Sequence, residues 1–123
     1  MRMVIAVVEM DLRLALELAL SEEPGVQIVG VASDAAGLLA LTHSGQPELI
    51  VLEDALPGAA LPELLGALRQ RQPPPRLLVL GANPAGGAAA LAGGAAAFVL
   101  KGDPPEQLLD TFRWVRARDA PPS

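Results

Sequence analysis

The sequence predicts an α/β domain: a doubly wound, five-stranded parallel sheet with five helices, in three layers (helix, sheet, helix). Three observations lead there. Five apolar runs alternate with five helix-like stretches along 123 residues, a length suited to one domain with one sheet. The runs are apolar almost throughout instead of alternating with polar residues, which is the habit of strands covered on both faces. Charged residues gather just after the first, third and fifth runs, where open α/β sheets collect their functional groups.

Strands are expected at Met3 to Val8, Val26 to Val31, Leu49 to Leu52, Leu77 to Leu80 and Ala96 to Leu100. Asp11 to Ser21 is rich in Leu and Ala and stops at "EEPG", which makes it the first helix. Asp34 to His43 follows the capping candidate Ser33 and stops at Ser44-Gly45. In "ALPELLGALRQR", Leu61, Leu64, Leu65 and Leu68 recur at helical spacing, Pro62 suits the first turn, and "QPPP" ends the segment. The fourth helix slot, "NPAGGAAALAGGA", is weak, because each internal glycine costs roughly 1 kcal/mol relative to alanine. It should be short or mobile. The last helix opens at "DPPE", with Asp103 as cap and Glu106 at capping-box spacing, and buries Leu108, Phe112 and Val115. The domain is set at residues 1–118, with 119–123 as a linker or C-terminal tail.

Composition excludes several functions. The formal net charge of -5 opposes nucleic-acid binding by this segment, so DNA would be reached only through another domain. The absence of cysteine removes disulfides, thiol nucleophiles and zinc fingers. The N-terminal residues resemble an opening strand instead of a signal peptide, and the Ala/Gly-rich stretch from Ala82 to Val99 is too weakly hydrophobic for a membrane span; the cytoplasm is the expected compartment. Of nine basic residues, eight are arginine and one is Lys101. A lone lysine in an arginine-rich chain suggests a geometry that a planar guanidinium does not fill.

The carboxyl ends of the strands deliver Glu9, Met10 and Asp11 from the first, Glu53 and Asp54 from the third, Gly81 and Ala82 from the fourth, and Lys101 from the fifth. Carboxylates from two strands facing a lysine from a third could bind a hard divalent cation and a phosphoryl group. In order and spacing, "VVEMD", "PELIVLEDALPG" and "GGAAAFVLKGD" resemble the receiver domains of bacterial two-component response regulators, over essentially the whole chain. "EEPGVQIVGVASDAAGLLAL" is similar to the branch with helix-turn-helix outputs, the NarL/LuxR type. The resemblance implies the CheY-like, flavodoxin-like fold, a sensor kinase as partner, and a phosphoacceptor four residues before the proline of the third-strand loop.

That position holds Glu53, with Asp54 as the alternative acceptor. The resemblance also puts Met10 where a metal-contacting acid is expected, and Gly81 where a hydroxyl would grip the phosphoryl group; Phe98 matches the aromatic that moves on activation. Magnesium binding is therefore expected to be weak at best, with Glu9 and Glu53 as the remaining donors, and no cofactor is assigned. The expectation is a degenerate, non-enzymatic receiver in which Lys101 pairs with Glu53, acting as a regulatory module by homodimerisation through Arg113, Trp114 and Val115. Two rival readings are a receiver phosphorylated on Asp54 and a small metal-dependent phosphohydrolase or nucleotide binder. Against the second rival, neither G-x-G-x-x-G nor a Gly-Lys-Ser/Thr loop follows the first strand. His43, the one histidine, reads as a surface residue.

Overall fold

The computed structural model describes residues 1–118. Its elements run β1 (Arg2–Ala6), α1 (Met10–Ser21), β2 (Gln27–Ala32), α2 (Ala35–Gly45), β3 (Leu49–Glu53), α3 (Leu61–Arg69), β4 (Arg76–Gly81), α4 (Ala85–Ala92), β5 (Ala97–Leu100) and α5 (Pro105–Arg118). All strand pairs are parallel, in the order β2-β1-β3-β4-β5. The order reverses direction at β1 and β3, which opens a crevice beyond their carboxyl ends. This is the doubly wound α/β architecture that the alternation of apolar runs predicts.

Strand periodicity sorts the core into two layers. Val4, Ala6, Ile50, Leu52, Leu77 and Val79 face α2, α3 and α4, where Leu38, Leu64, Leu65, Leu68 and Ala90 meet them. Their neighbours Met3, Ile5, Val7, Leu49, Val51, Leu78 and Leu80 face α1 and α5, against Leu16, Leu20, Leu108 and Phe112. Every β3 residue is buried, so no polar alternation survives in its sequence.

Several boundaries differ from expectation, each for a local reason. β1 ends at Ala6, two residues early, because the Val8 N–H leaves the ladder for the Glu53 carboxylate, at 2.7 Å. α2 is capped by Asp34, not Ser33: the Asp34 side chain accepts from the Gly37 N–H at 2.7 Å. Its far end runs on through Gly45 and stops where Gln46 turns left-handed, with φ of 45°. α5 begins at Pro105, so Pro104 and not Asp103 directly precedes it. The glycine-rich α4 forms, but for only eight residues. The proposed linker or tail, 119–123, lies outside the described residues.

Candidate functional site at the carboxyl ends of the strands

Strand parity divides the crevice in two. Glu53 follows Leu49 and Val51 on the α1/α5 side, and Lys101 follows Ala97 and Val99 on that same side. Asp54 follows Ile50 and Leu52 on the opposite side, as Gly81 follows Leu77 and Val79, and Phe98 packs against that layer too. Two acids adjacent in sequence therefore enter different surroundings.

Glu53 is 5% exposed, yet both of its oxygens are engaged. Oε1 accepts the Val8 N–H at 2.7 Å, and Oε2 accepts from the Lys101 ammonium. Burial by itself would raise the pKa of this carboxyl. The Lys101 hydrogen bond, the Val8 N–H and the lysine charge outweigh burial, so the group lies below its ordinary value and stays ionised at neutral pH. The Lys101 side chain keeps 23% exposure and thus some hydration.

Asp54 is half-buried, and its side chain makes no hydrogen bond or ion pair among the described residues. Its backbone N–H extends the β3–β4 ladder to Leu80 O at 2.8 Å. Glycines make room for its carboxylate. A Cβ on Gly81 would stand 2.5 Å from Asp54 Oδ2 and 2.7 Å from the Phe98 ring, and one on Gly86 would stand 2.9 Å from the same oxygen. The ring also lies 3.0 Å from the Cβ position of Gly87. Phe98 and Asp54 occupy the volume that a β4 side chain would need.

The residues of the acidic pocket expected after the first strand are all exposed. Glu9 holds the N-cap position of α1 without a side-chain capping bond, Met10 opens the helix at 60% exposure, and Asp11 is exposed in its first turn. Among the described residues no three His, Cys, Asp or Glu side chains form a group able to hold a metal ion. Magnesium needs octahedral oxygen donors. With Glu53 fully engaged and a thioether at Met10, the donor set present does not suit it.

The expected interface residues separate as well. Val115 is 1% exposed and belongs to the core beneath α5, so it offers nothing to a partner. Arg113 grips Glu23 through two hydrogen bonds, Nε to Oε1 at 2.8 Å and Nη2 to Oε2 at 3.1 Å, which ties α5 to the turn after α1. The Arg113 hydrogen bond holds the Glu23 carboxyl below its usual pKa despite the opposing effect of burial. Sequence reasoning missed this pair, because "EEPG" reads only as a helix stop and its partner lies ninety residues away. Trp114 remains 51% exposed, with the Arg118 guanidinium 4.5 Å above its ring. Ala82 is exposed beyond β4, and exposed His43 lies 3.3 Å from Arg71 Nη1 through its Nδ1.

No protein-family model matches the chain, and no curated protein does. Solved structures do. The signal receiver domain of the response regulator NarL from Mycobacterium tuberculosis is 29% identical, with 95% of this chain and 97% of that chain covered and a TM-score of 0.83. The response regulatory domain of protein mrkE from Klebsiella pneumoniae is 17% identical, covering 96% and 97%, with a TM-score of 0.87. RcsB from Salmonella enterica serovar Typhimurium, solved bound to promoter rprA, is 20% identical at a TM-score of 0.86; 95% of this chain covers 60% of that one. By strand order, by the crevice that order creates and by these likenesses, the chain has the fold of the receiver domains of two-component response regulators.

Proposed function

We propose that the domain is a pseudo-receiver: a non-enzymatic, cytoplasmic regulatory module of the response-regulator type that works without aspartyl phosphorylation. It governs an attached output domain or a partner through self-association. The observation that carries this reading is the state of Glu53. At the acceptor position, both carboxylate oxygens already accept hydrogen bonds, one from the Val8 N–H and one from the Lys101 ammonium. The lysine that would steady an incoming phosphoryl group is thereby held by an internal anion. Glutamate also reaches about 1.5 Å further than aspartate, and misplacement on the order of 1 Å can cost about a hundredfold in rate. The Phe98 ring and the Asp54 carboxylate close the space above Gly81, where no hydroxyl is available.

The likeness to NarL and RcsB supports a place ahead of a DNA-binding output domain, through which any contact with DNA would run, and a sensor kinase or another signalling protein as the upstream partner. Among the described residues no helix is long and apolar enough to cross a membrane. One observation favours a second reading, phosphorylation on Asp54: that carboxylate is free of hydrogen bonds and ion pairs among the described residues. Incubation with acetyl phosphate and magnesium, followed by intact-mass measurement, separates the two. The expected result is an unchanged mass. A stable phosphoryl adduct mapped to Asp54 establishes the second reading, and one on Glu53 overturns the argument from its occupied oxygens.

A further inference from the structure

The "QPPP" stretch that ends α3 also builds a wall. Pro73, Pro74 and Pro75, together with Pro47 from the turn before β3, line a cavity of about 400 Å³. It lies at the amino ends of the strands: Arg2 and Arg76 are the first residues of β1 and β4, and Glu48 directly precedes β3. The Glu53 crevice is at the other end of the sheet. The cavity's volume falls in the range of small-molecule sites.

Its lining is basic in a chain whose formal net charge is -5. Three guanidinium groups, those of Arg2, Arg71 and Arg76, meet there with one carboxylate, that of Glu48. Glu48 is tied down at its own strand pair, since Oε1 accepts the Arg2 backbone N–H at 3.1 Å and lies 3.7 Å from Arg2 Nη1. The arginines are aimed mainly by carbonyls. Arg2 Nε donates to Gly45 O and Gln46 O, Arg71 Nη2 to Thr42 O, and Arg76 Nη1 to Val115 O and Arg116 O. Carbonyl dipoles orient a guanidinium without cancelling its whole charge. Arg71 Nη1 lies 3.3 Å from His43 Nδ1, and Arg71 meets no carboxylate among the described residues. A guanidinium carries five N–H donors, so Arg2 and Arg71 each retain donors for a further acceptor.

We propose that this cavity binds a nucleoside monophosphate, its phosphate held by Arg2 and Arg71 and its base laid against the proline wall. One carboxylate does not neutralise Arg2 and Arg71 together, and the paired N–H groups of a guanidinium match phosphate oxygens in geometry. The prolines supply what the ring needs. They present apolar faces without an N–H, and guanidinium planes beside them stack on aromatic rings. The inference stands on this lining alone and depends neither on self-association nor on the state of Glu53. It gives the module a chemical input separate from the crevice.

The test is titration of the full chain with adenosine monophosphate, guanosine monophosphate and inorganic phosphate, read by calorimetry and by backbone amide chemical shifts. At least one nucleotide should bind with a Kd of about 100 μM or tighter. Its shifts should centre on Arg2, Gln46, Glu48, Arg71 and Gln72. Inorganic phosphate, which has no ring to lay on the prolines, should bind at least about tenfold more weakly. Arg71→Ala and Arg2→Ala should each raise the nucleotide Kd about tenfold or more, and Arg71→Lys should restore only part of the loss because an ammonium lacks the fork. Circular dichroism verifies folding, and the exposed position of Arg2 keeps the test available if Arg71→Ala does not fold. Shifts centred on Val8, Glu53 and Lys101 instead would place the anion in the crevice and overturn the site. Inorganic phosphate binding as tightly as the nucleotides overturns the part given to the proline wall. An affinity unchanged in the folded arginine variants, or no shift with either nucleotide at millimolar concentration, overturns the proposal.

Discussion

Removing Lys101 should cost the domain more than neutralising the acid it holds. The Glu53 side chain is 6% exposed and that of Lys101 is 23% exposed, so the pair lies between two regimes. Breaking one partner of a buried pair costs about 3 to 5 kcal/mol, whereas an exposed pair is worth about 0 to 1 kcal/mol. In Lys101→Ala the carboxylate keeps the Val8 N–H as its one donor and stays buried, while water gains entry where the lysine stood. The expected loss is therefore about 2 to 3 kcal/mol. Glu53→Gln preserves an acceptor for Val8 and leaves Lys101 partly hydrated, so about 1 kcal/mol is expected. The double variant Lys101→Ala/Glu53→Gln removes the stranded charge together with its partner. It should recover about 1 to 2 kcal/mol relative to the sum of the single losses.

Urea unfolding followed by far-UV circular dichroism measures all four proteins, first at pH 7 and then at pH 3. The folded-state pKa of Glu53 lies below its unfolded value, so its contribution is complete above the unfolded pKa and is lost as pH falls through the folded one. The penalty of Lys101→Ala should accordingly shrink in acid. Without Lys101, burial is left opposed only by the Val8 N–H, and the Glu53 carboxyl should titrate higher than in the wild type; carbon-13 detection of its side chain reports this directly. A coupling below about 0.3 kcal/mol, within the scatter of independent sites, together with a penalty that does not change with pH, would refute the reasoning. Glu53 would then behave as a solvated loop acid.

Two further outcomes follow from the same geometry. Gly81→Thr should destabilise by about 1 to 3 kcal/mol through overpacking, because its Cβ would stand 2.5 Å from Asp54 Oδ2 and 2.7 Å from the Phe98 ring; thermal unfolding should show a smaller cost for the same change made in a Phe98→Ala background, where one of the two clashes is gone. Glu23→Gln should lower the urea midpoint at pH 7 and lose that effect as pH falls through the depressed folded pKa of Glu23, since only the ionised carboxylate earns its two Arg113 bonds in full.

The sheet was legible because its signal is redundant. The central strands β1, β3 and β4, buried on both faces, write apolar runs that no surface helix would tolerate, and the turn residues between strands and helices fix the alternation. Element ends were less legible, since they depend on partners distant in sequence. β1 stops at Ala6 because a side chain on β3 takes the Val8 N–H, which no window around Val8 reveals. The opposed sides of Glu53 and Asp54 follow from period two alone. The exposure of Glu9, Met10 and Asp11 does not, because it turns on where α1 begins. Arg113 and Val115 drew attention by their composition beside Trp114. Helical phase places Val115 with Phe112 and Leu108 in the core, and that phase was the better guide.

On the pseudo-receiver reading proposed above, the residues at positions 10, 53 and 81 are mutually consistent and so belong together. The extra methylene of Glu53 lets one carboxylate span the Val8 N–H on β1's outgoing loop and the Lys101 ammonium beyond β5. An aspartate there would fall short by about 1.5 Å, leaving a buried donor or a lysine without its partner. Once the anion is internal, a hydroxyl at the end of β4 has no phosphoryl group to hold, and a buried hydroxyl without a partner carries a desolvation cost. Glycine at 81 removes that cost and opens volume, which the Phe98 ring and the Asp54 carboxylate fill on the same side of the sheet. A second acid at Met10 would add negative charge at the carboxyl end of β1 with no metal to neutralise it. On that reading, Glu53 bound to Lys101, glycine at 81 and methionine at 10 answer one electrostatic problem: keeping a buried carboxylate and an ammonium paired within the chain at the end of the sheet.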